Sequence, residues 1–299
     1  MKIAISGATG LVGTELKAFL RSGGHEVRAL VRDPARRAPG DVLWDPARDA
    51  VEAEGLEGLD AVVHLAGANV AAGRWNAAQK ERIRGSRVAG TRLLARTLAG
   101  LRRAPTVLIA ASAVGIYGDR GDEVLTEGCA PGRGFLAEVA EAWEAAAEPA
   151  AAAGIRTVHL RIGVVLSPRG GALRRMLMPF RLGLGGRLGD GRQWFPWIAI
   201  DDVVGVVLHA LTNDALRGPV NTVAPDPVRN EELTRTLARV LRRPATLPVP
   251  RFALRLLLGE MADGLLLASM RAVPDALRRS GYTFRHPRLE GALRHLLGR

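Results

Sequence analysis

The chain has 299 residues, 47% of them hydrophobic and 24% charged, enough to bury a sizeable core and too apolar for a disordered polymer. No stretch reaches the ~20 uninterrupted apolar residues of a membrane helix; the best run, Val203 to Leu211, is short and contains His209. A single cysteine, Cys129, rules out an internal disulfide and a cysteine-rich metal site. Lys2-Ile3-Ala4-Ile5 follows Met1 with no basic and apolar leader, so the expected compartment is the cytoplasm.

Charge is unevenly distributed. Residues 1–150 carry 19 basic and 19 acidic side chains, whereas residues 151–299 carry 23 and 11, which places the whole net charge of +12 in the second half. Such asymmetry can mark an anionic ligand, nucleic acid or a membrane surface. The arginines are scattered and are not interleaved with stacking aromatics, so neither nucleic acid nor membrane is expected as a partner. That leaves a small-molecule substrate, with an anionic one favoured by the charge, or an arginine-rich surface without a partner.

Lys2 to Ser6 reads as a short buried strand, followed by Gly7-Ala8-Thr9-Gly10-Leu11-Val12-Gly13 and by helical apolar spacing at Leu16, Phe19 and Leu20. Strand, glycine turn and helix form the context of a dinucleotide fingerprint, in which glycines admit the pyrophosphate to the backbone at a helix N-terminus. Gly7, Thr9, Gly10, Leu11, Val12 and Gly13 are therefore the expected cofactor contacts. A second strand, His25 to Val31, ends at Arg32. A guanidinium there suits a 2′-phosphate, where NAD sites place a carboxylate, so NADP is favoured over NAD. Asp33 precedes Pro34 and is expected to start a turn.

The next strand, Ala61 to Leu65, runs into Ala66-Gly67, small residues against which adenosine or ribose can lie, so Leu65, Ala66 and Gly67 join the cofactor set. His64 reads as a core histidine. In the basic helix from Asn76 to Ala99, Lys80, Arg82 and Arg84 are assigned to a solvated face and Arg87 to the cofactor side. Val158 to Leu166 reads as one near-continuous buried strand, with Val164 and Val165 beside the nicotinamide and Arg161 in need of an acidic or carbonyl partner if buried. Asp201 is expected to cap a helix over Val203 to Leu211. Asn230 starts a helix through Val240, and a leucine-rich stretch broken by Gly259 and Gly264 is assigned to core. Asp119, Asp122 and Glu123 match no metal spacing, and no metal is expected.

Gly7-x-x-Gly10-x-x-Gly13, Leu65-Ala66-Gly67, Ala111-Ser112-Ala113-Val114-Gly115-Ile116-Tyr117-Gly118 and Leu160 to Leu166 together resemble the extended short-chain dehydrogenase/reductase family. Gly73-Arg74-Trp75, Pro179 to Gly186 and Trp194-Phe195-Pro196-Trp197 resemble its atypical epimerase branch. The resemblance covers essentially the whole chain. It implies an α/β Rossmann-type doubly wound parallel sheet over residues 1–165, with a contribution from 197–223, and a smaller, mostly helical substrate-covering lobe over 166–299.

Most extended members pair a Tyr with a Lys four residues later for acid–base work. The only tyrosines here are Tyr117 and Tyr282, followed four residues on by Gly121 and His286, and the lysines stop at Lys80. After Gly132-Arg133-Gly134, where the pair would fall, the chain reads Phe135 to Glu144. The remaining catalytic candidates are three. Ser112 at a strand end is either a donor to a developing oxyanion or a turn residue. Tyr117 is either a replacement acid or a pocket wall, and Glu138 either a base or an ion-paired helix residue. Two functions stay open: an NADP-dependent oxidoreductase or epimerase acting on a carbonyl or secondary alcohol of a sugar-like or anionic metabolite, and an NADP(H)-binding sensor or scaffold with little turnover.

Overall fold

The computed structural model describes all 299 residues. Short β-branched and apolar runs alternate with helical segments from the start, and each run becomes a strand feeding a helix. β1 (Lys2–Ser6), α1 (Leu11–Ser22), β2 (Glu26–Val31), β3 (Val42–Asp45), β4 (Ala50–Val51) and β5 (Ala61–His64) build the first half of the sheet. α2 (Ala77–Ala99), β6 (Val107–Ala113), β7 (Val124–Leu125), α3 (Phe135–Ala145), α4 (Glu148–Ala152) and β8 (Arg156–Ile162) follow.

The sheet is completed by a late strand. After β9 (Val164–Ser167), α5 (Gly171–Arg181), β10 (Trp194–Phe195), β11 (Trp197–Ala199) and α6 (Ile200–Thr212), β12 (Gly218–Thr222) returns to pair with β8. The strand order is β12-β8-β6-β5-β1-β2-β3-β4, parallel apart from the β3–β4 pair. From β1 the chain winds outward through β2 and β3, then returns to the other side of β1 as β5. That reversal is the topological switch point, where ligands of such sheets collect. Alternating side chains bury both faces. Ile3, Ile5, Val63 and Ile109 pack on Leu16 and Leu20 of α1 and on α6. Ala4, Val62 and Leu108 pack on Leu93, Leu94 and Leu98 of α2 and on Ala150 of α4.

The run from Val158 to Leu166 is two strands, not one. A Cβ at Gly163 would stand 2.4 Å from the Pro196 carbonyl, so the chain can only turn there by having none. β8 stays in the main sheet, whereas β9 pairs with β11 in a separate ribbon. This ribbon opens a second core, in which Leu166, Phe180 and Trp197 pack on α7 (Asn230–Leu241, preceded by β13, Val228–Arg229). α8 (Arg251–Leu258), β14 (Arg271–Ala272), α9 (Asp275–Arg279) and α10 (Leu289–Leu297) complete the chain, and Leu289, Ala292 and Leu293 of α10 face that same core.

Two local expectations are corrected. Asp201 does not cap α6: strand pairing runs up to Ala199, the helix begins at once, and Asp201 lies in its first turn. The leucine-rich stretch is only partly core. Leu254 and Leu267 are buried in a small cluster with Ala262, but Phe252, Leu256 and Leu257 of α8 are 73%, 72% and 67% exposed, on the side of the helix away from that cluster. Gly264 does not break the chain either; it lies against Trp75 inside a π-turn over Ala262–Leu267. No helix is long and apolar enough to cross a membrane.

At the switch point, Ser6 Oγ accepts from the N–H groups of Leu65 and Ala66 and shares a 2.6 Å hydrogen bond with His64 Nδ1. His64 is fully buried edge-to-face with Trp44, and burial pushes its pKa from 6.5 down to about 4. The unfolded chain therefore takes up a proton that the folded chain refuses. The stabilisation is complete above pH 6.5 and falls as pH drops towards about 4. Urea unfolding across that window should show a clear downward slope that His64→Gln reduces; equal slopes in both proteins would contradict this placement.

Candidate functional site

The β1–α1 turn is shaped by what its glycines lack. Gly7 sits at φ +68°, and a Cβ on it would lie 2.9 Å from the Leu65 backbone. A Cβ on Gly13 would lie 2.2 Å from the Gly7 carbonyl, so α1 can rest on its own turn only because that atom is missing. α1 begins after Gly10 with no capping side chain and no acidic residue in its first turn. Thr9 and Gly10 are exposed, and Leu11 and Val12 are partly so. An uncapped helix end with open N–H groups is an anion site. Arg169, in the loop after β9, pairs with Glu15 and draws that loop over the start of α1.

Arg32 follows β2, exposed, with no hydrogen-bond or ion-pair partner. Asp33 is committed to the turn expected of it, accepting from Ala35 N at 3.0 Å and pairing with Arg36. Arg32 is thus the unpaired charge at the end of β2, while the Asp33 carboxylate is turned to its own loop. On the opposite side, Leu65, Ala66 and Gly67 leave β5 at the switch point. Arg87 lies beneath them: it donates to the Ala68 and Ile83 carbonyls, stacks 4.9 Å from the Trp143 ring and packs on Gly67. It has no carboxylate partner, and burial holds its pKa down at about 10. Val164 and Val165 are half-buried in β9, directly after the break that ends β8.

The C-terminal end of β6 holds a closed polar network. Register places Ser112 beside Arg161 on β8, and Arg161 beside Asn221 on β12. Ser112 Oγ donates to Glu144 Oε1 at 2.6 Å. Arg161 grips the same carboxylate with two parallel bonds of 2.8 and 2.9 Å, and donates to the Tyr117 hydroxyl at 2.9 Å and to the Glu127 carbonyl at 3.2 Å. The Tyr117 hydroxyl in turn donates to Asn221 Oδ1 at 2.7 Å. Burial works against the Glu144 carboxylate, but hydrogen bonds from Arg161 and Ser112 hold its pKa below the usual range. Burial likewise opposes the Arg161 charge, yet Glu144 holds that pKa above its ordinary value.

Of the three catalytic candidates, Ser112 and Tyr117 share this network and Glu138 lies apart. The single proton of Ser112 is directed to Glu144, so its oxygen offers lone pairs, not a donor. Tyr117 has no exposed surface, and burial raises its pKa. Glu138 is exposed on α3 and pairs with Arg84 at 3.3 Å. Glu144, Arg161 and Asn221 complete the arrangement. Arg161 was recognisable as a buried cation needing a partner. Glu144 falls seven residues after Ala137 and four after Ala140, both buried, which puts it on the inward stripe of α3. Glu138 does not share that stripe.

A parallel sheet with an uncapped glycine turn at its switch point defines a dinucleotide-binding Rossmann protein. The chain belongs to the NAD dependent epimerase/dehydratase family, whose model matches residues 3–223, and a domain of unknown function matches residues 249–296. It is 43% identical over 294 residues to the epimerase family protein Mb2239 of Mycobacterium bovis, covering 97% of this chain and 96% of that one. The crystal structure of human epimerase family protein SDR39U1 with NADPH superposes with a TM-score of 0.91 at 34% identity, covering 100% of this chain and 99% of the human one. A nucleoside-diphosphate sugar epimerase from Corynebacterium glutamicum has a TM-score of 0.83 at 41% identity, with this chain spanning 58% of its length.

Removing one member of a buried ion pair strands the other. Glu144→Ala should therefore lower the unfolding free energy by about 3–5 kcal/mol. Glu144→Leu combined with Arg161→Met should recover much of that loss. Denaturant titration of the three proteins checks both statements, and a Glu144→Ala cost below about 1 kcal/mol would refute the network as described.

Proposed function

We propose that this protein binds NADP(H) and is an NADP-dependent oxidoreductase or epimerase of the extended short-chain dehydrogenase/reductase type, acting on a carbonyl or secondary alcohol of a small anionic metabolite. The observation that carries the cofactor reading is the free guanidinium of Arg32 beside an uncapped glycine turn, with Asp33 already spent. Gly7, Thr9, Gly10, Leu11, Val12 and Gly13 fit the diphosphate, because a Cβ at Gly7 or Gly13 would overlap the backbone that forms the cradle. Arg32 fits the 2′-phosphate, Leu65, Ala66 and Gly67 the adenosine side, and Val164 and Val165 the nicotinamide. Arg87 adds a buried positive charge beneath that wall. The cofactor, when bound, supplies hydride transfer.

Proton handling falls to Ser112 and Glu144. With its own proton directed to Glu144, Ser112 Oγ can accept from a substrate hydroxyl, and a proton arriving at Ser112 moves the serine proton on to the carboxylate. Arg161 keeps that carboxylate ionised and therefore a weak base, so a proton it receives is held loosely and passed on. Glu138 is the less favoured base, since Arg84 occupies it. An open groove beside α5, lined by Pro168, Arg174, Leu177 and Arg181, offers guanidiniums to an anionic substrate. A second reading, an NADP(H)-binding sensor or scaffold with little turnover, is favoured by the full burial of Tyr117 and the missing lysine.

Tryptophan-fluorescence titration should give tighter binding of NADPH than NADH. Arg32→Ala should weaken NADPH by about 10- to 100-fold, the worth of charge-assisted hydrogen bonds, and leave NADH nearly unchanged. Equal affinity of the wild-type protein for both dinucleotides would overturn the cofactor assignment. Turnover is a separate measurement: NADP+ reduction across a panel of secondary alcohols should fall at least about 100-fold in Ser112→Ala. Tight binding with no turnover above that variant would select the sensor reading.

A further inference from the structure

Away from the crevice, the fold gathers three chemistry-bearing side chains that are distant in sequence. Asp201 stands in the first turn of α6, His286 in the segment between α9 and α10, and His295 near the end of α10. A carboxylate oxygen and one nitrogen from each imidazole lie within 4.8 Å of one another. His295 Nε2 is 3.6 Å from Asp201 Oδ2, and the two imidazoles stack at 4.4 Å with 28° between their planes. Beyond that contact, neither imidazole nor the Asp201 carboxylate has a hydrogen-bond partner in the protein.

The set is held by its surroundings. Asp202, fully buried, accepts from the backbone N–H of Arg285 at 2.7 Å and of His286 at 3.0 Å, and from the Tyr282 hydroxyl at 3.2 Å. The helix turn that carries Asp201 therefore also fixes the backbone that carries His286. α10 is seated by Leu289, Ala292 and Leu293, which sets His295 on the flank of a packed helix. Two neighbouring cations are engaged elsewhere: Arg294 with Glu290, and Arg285 over the Phe19 ring.

We propose that Asp201, His286 and His295 bind one divalent transition-metal ion, with zinc the best match and water in the remaining position. Two imidazoles and one carboxylate form a borderline donor set that zinc takes readily, whereas magnesium and calcium require mostly oxygen ligands. Zinc bonds of about 2.0–2.2 Å need donors about 3.4 Å apart, a contraction that partly exposed side chains reach by rotation. The ion ties together two segments of different kinds. Asp201 belongs to the stretch matching the epimerase/dehydratase family, and both histidines to the stretch matching a domain of unknown function. The site is thus a clip between the two, and binding only the folded chain stabilises it by mass action.

The test uses untagged full-length protein, stripped with chelator and dialysed against micromolar zinc chloride, with bound metal measured by mass spectrometry. We expect one zinc per chain and a melting temperature raised by about 3 °C or more, with magnesium chloride producing neither. His286→Ala combined with His295→Ala should lose both effects while retaining NADPH binding and far-UV circular dichroism. Should that double variant fail to fold, His295→Gln, at an exposed helix flank, should weaken zinc at least about 10-fold. Equal zinc content in the wild-type and substituted proteins, or an equal shift from magnesium, overturns the proposal.

Discussion

Arg161 places a guanidinium inside a β-sheet, where an ion of that kind costs several kcal/mol to desolvate unless nearly every N–H finds a partner. The partners come from four directions. Glu144 reaches down from α3, Tyr117 comes from the turn after β6, the Glu127 carbonyl from the loop after β7, and Ser112 of β6 joins through the same carboxylate. Each partner then secures something farther away. Tyr117 passes to Asn221, whose side-chain amide donates to the Leu125 and Val273 carbonyls at 3.1 and 3.0 Å. Glu127 Oε1 accepts from the backbone N–H groups of Asn221 and Ala276. One buried charge thereby ties the sheet to the segment entering α9.

The two sides of the crevice are consequently unlike. Beside β1, the chain presents bare backbone, an uncapped helix end and a guanidinium with no partner, all of which stabilise added negative charge. Beside β6, the charges have neutralised one another, Tyr117 is held within the network, and Ser112 has its proton committed to Glu144. Resemblance places the Tyr–Lys pair of extended dehydrogenases near this second side; here its stretch reads Phe135 to Glu144 and begins with an apolar ring packed on Trp75. The groups that form the glycine cradle and those that form the buried network are therefore physically separate.

Much of the first side was legible because it is local. A strand, glycines at fixed spacing and a helix are contiguous in the chain, and Asp33 before Pro34 forms the turn its sequence implies. The second side depends on contacts that no spacing reveals. That Arg161 needs a partner can be read from its apolar neighbours, but Glu144 is 17 residues earlier, on another element. The helical stripe that singles out Glu144 over Glu138 was present in the sequence and emerges only when all of α3 is aligned on Ala137. Gly163 was opaque for another reason: a strand that changes sheets has the same apolar residues as one that continues. In α8, hydrophobicity records a preference for burial without saying whether anything is available to cover it. Asp201, His286 and His295 show the same limit, since 85 residues separate the carboxylate from the first histidine.

Six polar residues of the sheet share one face and lie towards the C-terminal end of their strands. Ser6, His64, Ala110 and His159 are successive register partners, and two residues further along the strands so are Ser112, Arg161 and Asn221. Ile3, Ala4 and Ile5 of β1, Ala61, Val62 and Val63 of β5, and Val107, Leu108 and Ile109 of β6 are by contrast apolar on both faces. Polarity is affordable only where helices diverge and hydrogen-bonding partners or solvent can be reached, which in a parallel sheet is the end facing the ligand. The first row fastens β1 to the exit of β5 beneath the cradle, and the second fastens β6, β8 and β12 to the segments around Leu125 and Val273. A ligand that displaced either group of loops would have to disturb buried hydrogen bonds of the sheet.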